Sequence, residues 1–177
     1  MRVRASTDPP DDNSGRTPLS RAAEDGSEAV VKLLIERDDV DANSEDNSGQ
    51  TPLWWAIDSY HIVEESEQEA VVKLLLERNV IPDSKNEDGR TPLSKAAGRG
   101  HKAIVKLLLE RNDVDHNSED KDGHTPLWWA AEGNDNIIHP FGSWDKTNEE
   151  WNERVANKRK EIVDLLTDEI AKRKEAL

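Results

Sequence analysis

Two short acidic segments are the first candidates for chemistry, because each begins like a calcium-binding loop. Residues 39–43 read DVDAN and residues 113–117 read DVDHN. An EF-hand loop also needs a glycine at its sixth position and a bidentate glutamate at its twelfth. Here the sixth positions hold serine, and the twelfth positions hold Gln50 and His124. The pattern fails twice in both copies, so we predict solvated acidic loops and no metal site.

Catalytic motifs are missing from the sequence as well. Its five histidines show no HExxH spacing, and no serine sits in a G-x-S-x-G elbow. There is no glycine-rich phosphate loop, and the absence of cysteine excludes a thiolate nucleophile and a disulfide framework. We predict a non-enzymatic protein with no catalytic residues and no cofactor. A remote alternative is a hydrolase that uses His139 with nearby carboxylates.

Composition and charge narrow the class of protein. The 177 residues carry 38 acidic and 24 basic side chains, a net charge of −14, and only 34% are hydrophobic. Such values favour disorder, but six tryptophans favour a folded chain. The sequence has no apolar run of membrane-spanning length and no apolar leader segment. The negative charge would repel nucleic acids and anionic lipids. We expect a cytoplasmic monomer that binds neither nucleic acid nor membrane.

An internal repeat organises the sequence. The tripeptide Thr-Pro-Leu follows a glycine-containing turn each time and precedes a second apolar segment, such as AVVKLLLE from Ala70. A longer period lies over the short one, because residues 17–56 and 91–130 are identical at 28 of 40 positions. This pattern indicates duplication of a two-repeat block. The tripeptides are spaced by 34, 40 and 34 residues and begin at Thr17, Thr51, Thr91 and Thr125.

Each repeat predicts two helices and a polar loop, which we call the finger. Threonine is a favoured N-cap, and proline is tolerated at the first helical position. Leucine and small alanines then form a narrow apolar stripe. In the third copy, a Gly-His turn at Gly100 leads into a second helix that we expect to end near Asn112, a residue that tolerates left-handed geometry. Neither helix can bury its apolar face without a neighbour.

Residues 91–123, TPLSKAAGRGHKAIVKLLLERNDVDHNSEDKDG, resemble an ankyrin repeat. The likeness lies in the T-P-L-x-x-A-A segment, the G-H turn and the V-x-L-L-L helix, and it recurs in all four copies. It implies an all-α ankyrin solenoid of helix–turn–helix–finger units. The two-repeat blocks resemble the ankyrin arrays of fungal signalling proteins. The expected divisions are a lead-in at 1–11, a repeat domain at 12–177, and repeats at 16–49, 50–89, 90–123 and 124–177.

Three features depart from the ankyrin pattern. The histidine that usually follows Thr-Pro-Leu is replaced by serine or tryptophan in every copy. Insertions are expected at about 60–67 and 134–158. A capping box that begins at Thr147 predicts a long C-terminal helix over about 147–175.

The resemblance implies a protein partner bound on the concave face, where the fingers and the first helices meet. Trp54 and Trp128 are expected to be buried. For Trp55 and Trp129 two alternatives stay open: exposure on the groove, or packing against the following finger. The predicted partner-binding residues are Arg21, Gln50, Trp55, Arg90, Lys95, His124 and Trp129.

Other interpretations of the same features stay open. The acidic fingers favour a partner with basic residues, although charge that serves only solubility is the stronger explanation. The insertion at 134–158, with Phe141 and Trp144, is an alternative binding arm. The chain would instead be a spacer or a fragment of a larger multidomain signalling protein if it bound nothing itself.

Overall fold

The computed structural model describes residues 14–59, 65–132 and 149–175. These residues form eight α-helices and no strand, which confirms the predicted all-α class. The lead-in at 1–11 and most of both predicted insertions lie outside the described residues, whereas 65–67 belong to a helix. The helices are α1 (Pro18–Glu24), α2 (Glu28–Ile35), α3 (Pro52–Ile57), α4 (Glu65–Leu76), α5 (Pro92–Arg99), α6 (Lys102–Leu109), α7 (Pro126–Ala131) and α8 (Glu149–Glu175).

The Thr-Pro-Leu segments start the first helix of each repeat as predicted. The hydroxyl of Thr17 accepts a hydrogen bond from the backbone N–H of Ser20, and proline follows at the first helical position. The hydroxyl of Thr91 caps α5 in the same way. The hydroxyl thereby satisfies one of the N–H groups that lack a partner inside the helix. Thr51 and Thr125 cap α3 and α7 in the same manner.

The end of α6 differs from the prediction. This helix ends at Leu109, and its cap residue Glu110 has a right-handed conformation. Among the described residues, only glycines have positive φ, so Asn112 is not a left-handed cap. The N–H groups of Glu110 and Arg111 already close the last turn, and the chain leaves the helix before it reaches Asn112.

The chain divides into two compact units, Met1–Glu87 and Asp88–Leu177. In the first unit, α1 packs against α2 and α3, while α4 packs against α2 and α3. In the second unit, α5 packs against α6 and α7, while α8 packs against α6 and α7. Each unit therefore contains two repeats, with the second helices α2 and α4 adjacent in one and α6 and α8 adjacent in the other.

Thin apolar layers between these helices form the core. In the first unit, fully buried side chains include Leu19 of α1, Leu53 of α3 and Leu75 of α4. In the second unit, Leu108 of α6 and Leu166 of α8 are equally buried. Burial of a leucine side chain contributes about 1.5–3 kcal/mol, so a few such residues per helix hold each repeat to its neighbour.

Neighbouring fingers are joined by single backbone hydrogen bonds. The N–H of Asn47 donates to the Ser14 carbonyl, and the N–H of Lys121 donates to the Asp88 carbonyl, both at 2.9 Å. Gly89 lies beside the second bond with φ of +80°, and a Cβ there would lie 3.0 Å from the Lys121 nitrogen. Glycine is therefore needed for both the left-handed turn and the close approach of the two fingers.

The long C-terminal helix is confirmed as α8, although Thr147 lies outside the described residues. Arg173 fixes this helix to the end of α6, because its guanidinium donates to the carbonyls of Leu109, Arg111 and Val114 at 3.0–3.4 Å. The carbonyl of Leu109 belongs to the last turn of α6, where helical partners run out, and the other two follow it. In the described part of the chain, no helix is long and apolar enough to cross a membrane.

Candidate partner-binding surface at the fingers

One aspartate organises the finger that leads into each tryptophan-containing helix. Oδ1 of Asp46 accepts hydrogen bonds from the N–H groups of Ser48 and Gln50, both at 2.9 Å. Seventy-four residues later, Oδ1 of Asp120 accepts from the N–H groups of Asp122 and His124 at 3.0 and 2.8 Å. Aspartate suits this place because its short side chain can bind backbone groups two and four residues ahead.

The second carboxylate oxygen of each aspartate holds an indole ring. Trp55 Nε1 donates to Asp46 Oδ2 at 2.9 Å, and Trp129 Nε1 donates to Asp120 Oδ2 at the same distance. An arginine covers each ring, with the Cζ of Arg16 lying 3.6 Å from the Trp55 centroid. We call this arrangement the Arg–Trp–Asp brace. Its members are Arg16, Trp55 and Asp46 in the first unit, and Arg90, Trp129 and Asp120 in the second, where the cation–ring distance is 3.5 Å.

The hydrogen bonds of the second brace change the acidity of its aspartate. The side chain of Asp120 is 3% exposed, and this burial by itself raises the pKa of its carboxyl group. The N–H of His124, the indole of Trp129 and the N–H of Asp122 lower it by a larger amount, so the pKa lies below its ordinary value. These donors bind only the ionised form well, and Asp120 is therefore held as a carboxylate.

Three rings form a contiguous aromatic cluster in the second unit. The imidazole of His124 stacks on Trp128 with a centroid distance of 3.5 Å and an interplanar angle of 9°. Trp129 meets both rings edge-on, at 5.0 Å from Trp128 and 5.9 Å from His124. We call His124, Trp128 and Trp129 the aromatic cluster.

The two copies of the TPLWWA motif differ in exposure. Trp54 is 2% exposed, which confirms its predicted burial. The same prediction is wrong for Trp128, which is 36% exposed. One face of Trp128 stacks on His124, and no further Thr-Pro-Leu helix follows α7 among the described residues to cover the remainder.

The predicted contact residues differ in accessibility. Arg21 and Gln50 are half-buried, and so are Trp55, His124 and Trp129. The second unit brings Arg90, His124 and Trp129 together around Asp120, while Gln50 and Trp55 share Asp46 in the first. By contrast, Arg90 and Lys95 are only 9% and 7% exposed.

For the second tryptophan of each pair, the alternative that predicted packing against the following finger is wrong. Trp55 binds the finger that precedes its own helix, because Asp46 lies nine residues earlier in the chain. The brace residues Arg16, Asp46 and Asp120 were not among the predicted site residues. Arg16 and Asp46 precede Arg90 and Asp120 by 74 residues, the same spacing as the Trp-Trp pairs, and this shared period was the sequence feature that could have revealed them.

The two calcium-like segments serve a structural purpose. Asp39 forms a two-point ion pair with Arg37 at 2.8 and 2.9 Å. Asp113 pairs likewise with Arg111, whose hydrogen bonds hold the pKa of that carboxyl group below its usual range. The side chain of Asn43 bonds to the carbonyl of Asn79 and the N–H of Ile81, both at 2.7 Å, and so joins consecutive fingers.

One group of potential metal ligands lies in the described residues, at the aromatic cluster. Ligand atoms of Asp120, Asp122 and His124 lie within 4.8 Å of one another. The carboxylate of Asp120 is already engaged by two backbone N–H groups and the Trp129 indole. The finger turn therefore accounts for this grouping. His139 and the proposed arm of Phe141 and Trp144 lie outside the described residues.

Comparisons with known proteins agree with this architecture. The family model described as ankyrin repeats (3 copies) matches residues 3–65 and 60–140. The chain is 33% identical over 131 residues to Alpha-latrotoxin-Lg1a of Latrodectus geometricus, which covers 73% of this chain and 9% of the relative. It is 33% identical over 129 residues to Alpha-latrotoxin-Lt1a of Latrodectus tredecimguttatus, with 72% and 9% covered. The chain thus spans less than a tenth of the length of these curated relatives.

Proposed function

The chain belongs to the ankyrin-repeat family, and on this premise we propose that it binds a partner protein through its fingers and first helices, on the concave face of the repeats. Ankyrin repeats serve as protein–protein interaction modules, but a fold by itself does not identify the partner or the contact surface. The contact residues therefore depend on the exposure and geometry of the side chains at the fingers.

The aromatic cluster is the observation that supports this proposal most directly. Trp128 exposes 36% of its surface, while its ring is held by stacking on His124 and by the edge of Trp129. Tryptophan is enriched among residues that dominate binding energy. A ring that is already fixed loses little conformational entropy when a partner covers it. Trp128 is therefore the preferred anchor, although the sequence predicted it to be buried.

The predicted site residues fall into two groups according to their exposure. Arg21, Gln50, Trp55, His124 and Trp129 keep enough exposed surface to touch a partner. Arg90 and Lys95 are nearly covered, so we assign Arg90 a positioning role, in which it holds the ring of Trp129. Lys95 has too little exposed surface for more than a marginal contact.

The chemistry of the partner follows from the charges beside the cluster. Asp122 and Glu119 are exposed on the finger that carries Asp120. A lysine or arginine of the partner could lie over the free part of the Trp128 ring and pair with Asp122. We therefore propose a partner that presents basic side chains.

A quantitative pull-down with the full chain tests the proposal. Wild-type protein is compared with Trp128→Ala and with Lys106→Ala, a control at an exposed position of α6. We expect a set of proteins retained by wild type and by the control but lost with Trp128→Ala. The strongest of these proteins, once purified, should bind wild type at least about tenfold more tightly than Trp128→Ala, a loss of roughly 1.4 kcal/mol.

Ionic strength separates charge recognition from apolar contact. Affinity for a basic partner should fall markedly between about 50 and 300 mM salt, because exposed charges are screened over this range. Equal retention of proteins by all three variants would contradict the proposed surface, whereas retention of no protein by wild type would favour the spacer alternative. An affinity that does not fall as the salt concentration rises would contradict the basic character of the partner, but it would not contradict the proposed contact surface.

Two further inferences concern enzymatic activity and location. The ankyrin-repeat family is generally non-enzymatic, and we infer that this chain is likewise no enzyme. Enzymatic activity above the buffer background in a substrate screen would overturn that inference. A cytoplasmic location stays a prediction, since relatives named as toxins give it no support.

A further inference from the structure

The imidazole of His124 is the titratable member of the aromatic cluster. It stacks on Trp128 at a centroid distance of 3.5 Å. Its Nδ1 atom is buried and has no hydrogen-bond partner among the described residues. This nitrogen lies 3.7 Å from Oδ2 of Asp120, which is too far for a hydrogen bond. The side chain as a whole is 30% exposed, so the ring can exchange protons with solvent while it stays in contact with Trp128.

Protonation of this ring would place a positive charge against one face of Trp128. Histidine is the side chain that gains its charge between about pH 8 and pH 5. The imidazolium would face the carboxylate of Asp120, whose backbone and indole donors bind its ionised form. A cation at His124 therefore has an opposite charge beside it, and the folded cluster can accept it.

The other charges around the imidazole come from two elements. Asp120 and Asp122 lie on its own finger, and ligand atoms of these two residues and His124 lie within 4.8 Å of one another. Arg90 lies one ring away, with its guanidinium over Trp129. Helix α7, which supplies both indole rings, carries no titratable side chain. An imidazolium would thus attract Asp122, the carboxylate that we assign to a basic side chain of the partner.

We propose that His124 is a pH-dependent switch of the partner-binding surface, an inference that rests on the proposed function. The neutral ring supports Trp128 as the anchor for a basic side chain, and the protonated ring opposes that contact. A cation on one face of an indole weakens the attraction of the ring for a second cation. It also offsets the negative charge of Asp122. Both effects lower the affinity for a basic partner as the pH falls.

The first unit supplies a natural substitution for the test. Gln50 stands 74 residues before His124, at the equivalent place in its finger, and glutamine does not titrate. His124→Gln therefore keeps a polar side chain that this finger structure accommodates and removes the ionisable group. His116→Gln, at a half-buried position earlier in the same finger, is the matched control.

Tryptophan fluorescence of the full chain without partner tests the ionisation. A protonated imidazole in contact with an indole ring quenches its emission. We expect the emission to fall between about pH 7.5 and pH 5.5 in wild type and in His116→Gln, and to fall much less in His124→Gln. A wild-type signal that does not change, or a change that His124→Gln leaves in place, overturns the switch.

Binding is then measured with the purified protein whose retention in the pull-down depends most strongly on Trp128. Wild type should bind it about fivefold or more weakly at pH 5.5 than at pH 7.5, and His124→Gln should change by less than about twofold. Equal pH dependence in the two chains, or an affinity of wild type that rises in acid, overturns the switch. Binding at pH 7.5 that Trp128→Ala abolishes would still support the proposed function. If no protein is retained through Trp128, the proposed function fails and the switch fails with it.

Discussion

The indole N–H of Trp129 donates to Oδ2 of Asp120 at 2.9 Å, and this bond joins a helix to the finger that precedes it. Because Asp120 also binds two backbone N–H groups with its other oxygen, one carboxylate sets both the finger turn and the ring position. The same bond recurs between Trp55 and Asp46. The tryptophan therefore stabilises the repeat, in addition to forming part of the contact surface that we assign to it.

Replacing Trp129 by phenylalanine tests the hydrogen bond while keeping an aromatic ring beneath Arg90. Asp120 Oδ2 would lose its indole donor in a side chain that is 3% exposed. An unsatisfied buried acceptor costs about 1–3 kcal/mol, so the free energy of unfolding in urea should fall by that amount. Trp128→Phe is the matched control and should change it by less than about 0.5 kcal/mol, since exposed positions tolerate substitution. Equal losses in both variants would assign the effect to ring size.

Asp120→Asn removes the charge of the same side chain and should be destabilising. An asparagine oxygen can still accept from the backbone, but its NH₂ group cannot accept from Trp129. We expect a loss of about 1–3 kcal/mol in the free energy of unfolding at neutral pH. Asp122→Asn, on the exposed side of the same finger, should have little effect.

The advantage of Asp120 over asparagine should also depend on pH. The folded-state pKa of Asp120 lies below its ordinary value, so its contribution is complete above the unfolded pKa of about 3.9. That contribution is lost as the pH falls through the lower folded-state pKa. The measurement is the difference in urea unfolding free energy between wild type and Asp120→Asn from pH 7 to pH 3. A difference that stays constant, or grows in acid, would contradict the direction assigned to the pKa.

The helical framework could be predicted from the sequence because its determinants are local. Thr17 and the following proline specify a helix start within a few residues, and the structure shows that cap at 3.1 Å. The end of α6 was harder to predict, since Asn112 permits a left-handed cap without requiring one. Glu110 closed the helix earlier with an ordinary right-handed conformation.

The candidate site could be predicted only in part because exposure depends on distant neighbours. Trp54 and Trp128 stand in the same TPLWWA motif, yet one is 2% exposed and the other 36%. No local pattern distinguishes them. The braces, by contrast, could have been found from the sequence, because their residues recur 74 positions apart. Arg16 and Arg90, for example, occupy equivalent places before Thr-Pro-Leu.

Arg173 provides a test of the attachment of α8. Its guanidinium donates to the carbonyls of Leu109, Arg111 and Val114, and its Nε pairs with Glu169 at 2.8 Å. Hydrogen bonds from charged donors contribute about 1.5–3 kcal/mol, so Arg173→Ala should lower the free energy of unfolding by that order.

Two further variants separate the geometry of Arg173 from its charge. Arg173→Lys should recover only part of the loss, because a single ammonium cannot span carbonyls that a guanidinium reaches together. Lys174→Ala, at an exposed neighbouring position, is the control. Amide exchange at the end of α6 should quicken in Arg173→Ala and stay unchanged in the control. Full rescue by lysine would show that charge alone fixes α8.

Two glycines with the same backbone conformation separate the cost of a left-handed turn from the cost of finger packing. Gly89 and Gly123 both have φ of +80°, but a Cβ added at Gly123 would meet open space, whereas one at Gly89 would lie 3.0 Å from the Lys121 nitrogen. An alanine at either place costs roughly 1 kcal/mol for the positive φ. Gly89→Ala should lower the free energy of unfolding further, by about 1 kcal/mol or more. The reason is that the backbone of the next finger would have to move, which would weaken the hydrogen bond from Lys121 to the Asp88 carbonyl. Urea unfolding of the two variants gives the difference, and equal losses would show that the fingers separate without penalty.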